Sequence, residues 1–143
     1  MEHLKTDITL DFFKISNLLS RYGSKMVSEV GLTSIQQWII LRTIIEKGDI
    51  SIGELKEETL VTKQNMTGMM NRLQESSIVL LYPDPEDKRR TRVKLTEEGL
   101  QIYEQLKSSR NDFNMQTYSI YTEEEIIVLN DLLSRLVNHL KMN

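Results

Sequence analysis

Apolar residues recur along this chain with two periods, one near 3.6 and one of 2, and the switches between them divide the sequence. Ile8, Phe12, Ile15, Leu18, Leu19, Tyr22 and Met26 share one face of a predicted helix over 7–29. Ile35, Trp38, Ile39, Leu41 and Ile45 outline a second over 34–46, which Gly48-Asp49 ends. A short helix over 52–59 follows. Another runs over 63–76, with Met66, Met69, Met70 and Leu73 on one side. Then the period changes: Ile78-Val79-Leu80-Leu81-Tyr82 is a β-prone run, and Thr91, Val93 and Leu95 alternate with Arg92 and Lys94. Pro83, Asp84 and Pro85 between the two runs favour a turn, because proline cannot donate to a ladder. Helical spacing returns over 97–117 with Leu100, Tyr103, Leu106 and Phe113. It returns again over 123–141 with Ile126, Leu129, Leu132, Leu133, Leu136, Val137 and Leu140.

Capping signals agree with these boundaries. Thr33-x-x-Gln36, Ser51-x-x-Glu54 and Thr122-x-x-Glu125 fit the capping box, in which a hydroxyl and a carboxyl or amide satisfy helix N–H groups reciprocally. Thr62 and Thr96 suit single N-caps. The expected fold is mainly α with a small two-stranded β-hairpin. Helix, short helix, helix and hairpin in that order make a winged helix-turn-helix, expected over 31–96. A domain this small cannot cover three long apolar stripes. The helices over 1–30 and 97–143 are therefore expected to form a dimerisation region that packs on a second copy of the chain.

Charge sharpens this picture. The chain of 143 residues has net charge −3, yet Leu60 to Lys94 holds seven cations against four acids, leaving +3 there and −6 elsewhere. Five of those cations fall between Lys88 and Lys94. An acidic body with one basic segment fits a local nucleic-acid contact. At 100° per residue, the face opposite Met66, Met70 and Leu73 carries Gln64, Thr67, Gly68, Asn71 and Glu75. Asn65 and Arg72 lie on its flank, with Thr62 and Lys63 at its start. Gln64 and Asn71 suit adenine edges, and Thr67 can donate or offer its methyl to thymine.

Other chemistries find little support. There is no cysteine, so disulfides and thiolate metal sites are excluded. His3 and His139 lie near opposite ends and read as surface residues, and Glu123-Glu124-Glu125 reads as first-turn acids facing a helix dipole. No cofactor and no catalytic constellation is expected. No apolar run approaches the roughly 18 residues that span a bilayer. The Met1-Glu2-His3-Leu4-Lys5 start has no signal-peptide core, so a soluble cytoplasmic protein without a membrane partner is expected.

The order and spacing of these pieces resemble the MarR family of bacterial transcription regulators over nearly the whole chain. Leu32-Thr33-x-x-Gln36-Gln37-Trp38-x-x-Leu41, Glu54-Leu55 and Thr67 to Leu73 are similar to its second, third and recognition helices. Asp87-Lys88-Arg89, followed by Val93-Lys94-Leu95-Thr96-Glu97-Glu98-Gly99, looks like its wing and is the most specific match. The resemblance implies a homodimeric DNA-binding regulator of a pseudopalindromic operator, more often a repressor than an activator, that responds to a small aromatic or phenolic effector. It implies that Arg89 enters the minor groove and that Asp87 holds the wing. Lys88 sits at the same tip. Arg90, Arg92 and Lys94 are then assigned to phosphates.

An effector pocket between the dimer arms and the winged domain would draw on Phe12, Phe13, Ile15, Leu19 and Trp38. Gly68 stands where many members carry a basic or bulkier polar residue, which argues against arginine-to-guanine readout from this helix. Ser77 replaces a usual glycine and Leu81 a common arginine, so weaker or differently distributed phosphate contacts are expected. Because the helix offers amides and a glycine in place of arginines, the wing is expected to supply more of the affinity than usual. A winged-helix protein-interaction module or anti-repressor with weak DNA binding is the alternative. An enzyme subunit is disfavoured by the missing catalytic residues.

Overall fold

The computed structural model describes all 143 residues. The elements are α1 (Glu2–Ser28), α2 (Ile35–Lys47), β1 (Ile50–Ser51), α3 (Ile52–Thr59), α4 (Lys63–Glu75), β2 (Val79–Pro83), β3 (Thr91–Leu95), α5 (Glu97–Gln105), α6 (Lys107–Tyr118) and α7 (Glu123–Lys141). The chain is a mostly helical winged helix, as the pattern predicts. It divides into two compact units, Met1–Lys107 and Ser108–Asn143.

In the first unit, N-caps fix where the helices begin. Ser51 Oγ accepts the Glu54 N–H at 3.1 Å, Thr62 Oγ1 the Asn65 N–H at 3.3 Å, and Thr96 Oγ1 the Gly99 N–H at 3.0 Å. The first expected capping box is displaced by one residue. Ser34 caps α2, and Gln37 Oε1 reaches back to the Thr33 N–H at 2.7 Å, so Gln37 replaces Gln36 in that role. At α3 only half the box forms, because the Glu54 carboxylate turns to Arg90.

The core gathers Val27 at the end of α1, Leu32 in the connection to α2, Ile40, Leu41 and Ile44 of α2, Leu55 of α3, the α4 stripe Met66, Met69, Met70 and Leu73, and Ile78, Val79 and Val93 of the wing. All four of the expected α4 residues are buried. In α2 the phase differs: Ile39 and Ile45 are exposed, and Gln37, Ile40 and Ile44 face inward. Apolar residues occur nearly all round this helix, so spacing alone leaves its rotation open.

The hairpin also gains a strand. The sheet order is β1-β3-β2, all antiparallel, with Ile50 opposite Val93 and Val93 opposite Leu81. Two residues are too few to announce a strand by alternation. At the wing root Thr96 Oγ1 donates to the Ser77 and Ile78 carbonyl oxygens at 2.5 and 3.1 Å. Gly99 packs so close to β2 that a Cβ there would overlap the Ile78 carbonyl oxygen.

Two other expectations shift. α1 starts at Glu2, where polar residues give no apolar cue and no side chain caps the end. The single helix expected over 97–117 breaks at Leu106, which is fully buried, into α5 and α6.

The second unit holds most of α6 and all of α7. Thr122 and Glu125 complete the only reciprocal capping box, with Thr122 Oγ1 accepting the Glu125 N–H at 3.2 Å and Glu125 Oε2 the Thr122 N–H at 2.9 Å. No residue of α7 is buried, although Ile126, Leu132, Leu133, Leu136 and Leu140 lie along it.

Candidate nucleic-acid interface

The α4 residues expected to face DNA are presented to solvent. Thr62, Lys63, Gln64, Asn65, Thr67, Asn71 and Arg72 are exposed and Gly68 is half-buried, above the apolar floor of Met66, Met69, Met70 and Leu73. The Thr67 hydroxyl donates to the Lys63 carbonyl oxygen at 3.0 Å, which leaves its methyl group and an oxygen lone pair facing outward. Gln74 Oε1 accepts the Leu81 N–H at 3.2 Å and ties this helix to β2.

Between α4 and the wing lies an open crevice of about 400 Å³. Thr67, Met70 and Asn71 form one wall, Arg89, Arg90 and Thr91 the other, with Leu81 half-buried at its base. Leu81 thus serves as inner-face packing, opposite Val93. Helix and wing therefore open onto a common space.

The wing tip is organised by its acids. Asp84 Oδ1 accepts the Glu86 N–H at 2.9 Å and closes the turn, while the Asp84 N–H donates to the Arg90 carbonyl oxygen at 2.9 Å. Asp87 Oδ1 accepts from both the backbone N–H and Nε of Arg89, at 3.1 and 3.2 Å. The Arg89 side chain is otherwise 91% exposed, a cation held at its base and free at its end. Lys88 beside it is exposed.

The other wing cations are less free than the charge pattern suggests. Arg90 Nη2 lies 3.3 Å from Glu54 Oε1 and 3.4 Å from Ser51 Oγ. Arg92, expected on phosphates, is enclosed: Nη1 is 3.3 Å from Asp84 Oδ2, Nε 3.5 Å from Asp49 Oδ1, and Nη2 donates to the Asp49 carbonyl oxygen at 2.6 Å. Its side chain is only 22% exposed. Two carboxylates already neutralise this guanidinium, so it belongs to the wing framework. Lys94 lies 5.6 Å from the centre of the Tyr82 ring, and the Tyr82 hydroxyl donates to Asp49.

These contacts shift the titrating groups. The Asp84 carboxyl is held below the usual aspartate range, chiefly by the Glu86 N–H and then by Arg92. Arg92 is pushed up, first by Asp84. The Tyr82 phenol is pushed up, mainly because its proton is committed to Asp49.

The part that Asp49, Ser51, Glu54, Tyr82 and Asp84 play in holding the arginines is not visible in the sequence pattern, where Ser51 and Glu54 read as a capping box and Asp84 as a turn residue. Gly48-Asp49 reads as a helix stop, and the acids of the turn read as charge to be subtracted. The cue available is an acid just before a capping serine, with a surplus of arginines downstream.

Of the residues expected to line an effector pocket, Phe12, Phe13 and Ile15 are exposed, while Leu19 and Trp38 are half-buried, the Trp38 indole N–H being buried without a partner. A cleft of about 580 Å³ lies beside their neighbours Ser16, Ser20, Ile35 and Ile39, running to Leu60, Thr62, Met69 and Arg72. His3 and His139 are exposed. No helix is long and apolar enough to cross a membrane.

Comparison with known proteins places this geometry. The MarR family model matches residues 30–90. The HTH-type transcriptional regulator YsmB of Bacillus subtilis is 26% identical over 99% of this chain and 95% of its own length. The HTH-type transcriptional repressor IacR of Pseudomonas putida is 26% identical over 91% of this chain and 79% of its own. Among solved structures, a mutant MarR from E. coli complexed with operator DNA superposes with TM-score 0.82 at 27% identity, covering 91% of this chain and 93% of that one. NadR in complex with 4-hydroxyphenylacetate superposes with TM-score 0.78 at 25% identity, covering 90% and 91%.

Proposed function

We propose that this chain, whose residues 30–90 match the MarR family model, is a DNA-binding transcription regulator of that family and acts as a homodimeric, sequence-specific repressor. The observation that carries this reading is the crevice shared by Thr67 and Asn71 of the recognition helix and by Arg89 and Arg90 of the wing. The amides read base edges in a major groove while Arg89 enters the adjacent minor groove, where negative potential is concentrated. Lys63, Lys88 and Lys94 hold phosphates.

Residues 31–96 act as the DNA-binding domain, and 1–30 with 97–143 as the dimerisation region. The apolar residues exposed along α7 support a second copy as their cover. Two recognition helices then meet half-sites about 34–36 Å apart on a pseudopalindrome. The effector is a small aromatic or phenolic molecule that relieves repression. It enters the cleft between Ser16, Ser20 and Ile39 on one side and the Leu60–Thr62 turn on the other, where it bears on the start of α4. A regulator of genomic DNA acts in the cytoplasm.

A titration of random and genomic duplex at several salt concentrations tests this. Binding should weaken steeply with salt, since each neutralised phosphate releases counterions. Sedimentation of the free protein should give a dimer. No affinity for any duplex at low salt overturns the proposal. It would favour the protein-interaction reading, which the ion pairs already made by Arg89, Arg90 and Arg92 also support.

A further inference from the structure

Four arginines lie between Lys63 and Lys94, and three of them end on carboxylates. Arg89 meets Asp87, Arg90 meets Glu54, and Arg92 meets Asp49 and Asp84. Arg72 meets none, although Glu75 is one helical turn away. Its guanidinium lies back along α4 over Gly68: a methyl group built on Gly68 would stand 3.5 Å from Nη1 and 3.9 Å from Nη2 of Arg72. Helical side chains lean towards the N-terminus, so a long one covers the residue four positions earlier. At 1.5 Å per residue, the charge sits about 6 Å nearer the start of α4 than the Arg72 backbone does.

That displacement changes what the side chain can reach. Recognition helices touch bases chiefly through their N-terminal residues, and the Arg72 backbone, near the far end of α4, lies beyond them. Gly68 is about 40° round the helix from Gln64 and about 60° from Asn71. A guanidinium above it therefore reaches the reading face, while the side chain still borders the cleft beside Met69. It has no acid to neutralise it, and it is a planar fork that can donate twice to guanine O6 and N7.

We propose that Arg72 reads a guanine in the major groove, and that Gly68 is retained as the seat that lets its guanidinium reach that base. The glycine is thus one half of a specificity determinant whose charged half lies four residues on. This inference rests on the DNA-binding reading above and adds to it a G·C pair in each half-site.

The test starts from an operator selected by the wild-type protein out of a randomised duplex pool. Each G·C pair of that operator is then exchanged for A·T, and binding is compared across variants. Wild type should lose roughly 10- to 100-fold at one pair per half-site. Arg72→Ala should bind both duplexes alike. Arg72→Lys, which keeps the charge without the fork, should also lose the discrimination. Gly68→Ala should retain it, because its methyl makes only ordinary contact with the guanidinium. Gly68→Val, whose branched side chain occupies the seat, should lose it while leaving helix content intact.

If Arg72→Ala weakens every sequence equally and makes the log–log salt slope shallower by about one, Arg72 is a phosphate contact and the inference is wrong. It is equally wrong if Arg72→Ala changes nothing. A wild-type protein that binds no duplex removes the regulator reading itself, and the inference with it.

Discussion

Arg92 Nη1 lies 3.3 Å from Asp84 Oδ2, which joins the residue just after β2 to the start of β3 at the turn end of the wing. The same guanidinium continues to the carboxylate and carbonyl of Asp49, ahead of β1. One side chain therefore fixes all three strands. Because Asp84 titrates below its unfolded value of about 3.9, its stabilising contribution is complete above that pH and fades as pH falls through the folded value. Asp84→Asn should lower the melting temperature at pH 7, and the gap from wild type should close as pH falls below about 4. A gap that widened in acid would remove Asp84 from this role.

Ser77 sits at φ +60, in the left-handed region, between α4 and β2. Its carbonyl accepts from Thr96, but its own hydroxyl makes no hydrogen bond in the structure. A non-glycine residue costs roughly 1–2 kcal/mol there, and glycine gives back part of that as unfolded-chain entropy. Ser77→Gly should stabilise the protein by about 0.5–1 kcal/mol, readable in urea titration at constant protein concentration. The left-handed backbone at this position favours glycine by conformation alone, without any phosphate contact.

Gly99→Ala should do the opposite. Its methyl meets the Ile78 carbonyl oxygen, and neither that backbone nor the start of α5 can yield while Thr96 clasps both. A loss of about 2–3 kcal/mol is expected, in line with overpacking of a closed contact. Unchanged chemical stability would mean that α5 rotates away from β2.

Arg89→Ala removes a side chain that is 91% exposed, so folding should be untouched. Operator affinity should drop about 10- to 100-fold if the guanidinium enters the minor groove. Circular dichroism and gel shift on the same preparation separate the two effects.

Glu54→Gln should raise DNA affinity severalfold at low salt. It releases Arg90 from its ion pair, and the freed cation adds about one to the salt slope. A fall in affinity would instead mean that Glu54 aims Arg90.

How much of this was legible beforehand depended on sequence distance. The bounds of α3 over 52–59 and the buried stripe of α4 follow from spacing and caps that act within one or two turns. The phase of α2 does not, because Ile and Leu on several faces make its burial a matter of what packs against it. The exposed α4 face and the Asp87–Arg89 contact also lie within short stretches of chain. The clamp on Arg92 joins residues 43 apart, and no local pattern records that Asp49 will meet it. Charge counting treats Arg89, Arg90 and Arg92 as equals, whereas the fold leaves one extended and ties down two. The place of the Arg72 guanidinium is likewise set by the absence of a side chain four residues earlier, which a list of residue types does not weigh.

The clasp at the wing root limits how this protein can be recombined. Thr96 binds Ser77 and Ile78, and Gly99 must lie flat on Ile78, so the transferable piece of wing is not the hairpin alone. It is a cassette from Ser77 to Gly99 that carries its own closure. It leans on the host at β1, at Gln74, at Ser51 and Glu54, and at an aspartate just before β1 that receives Arg92 and Tyr82. A homologue with these residues can accept the graft and exchange minor-groove contacts while keeping its own recognition helix; one without the aspartate would receive a wing loosely held near its turn.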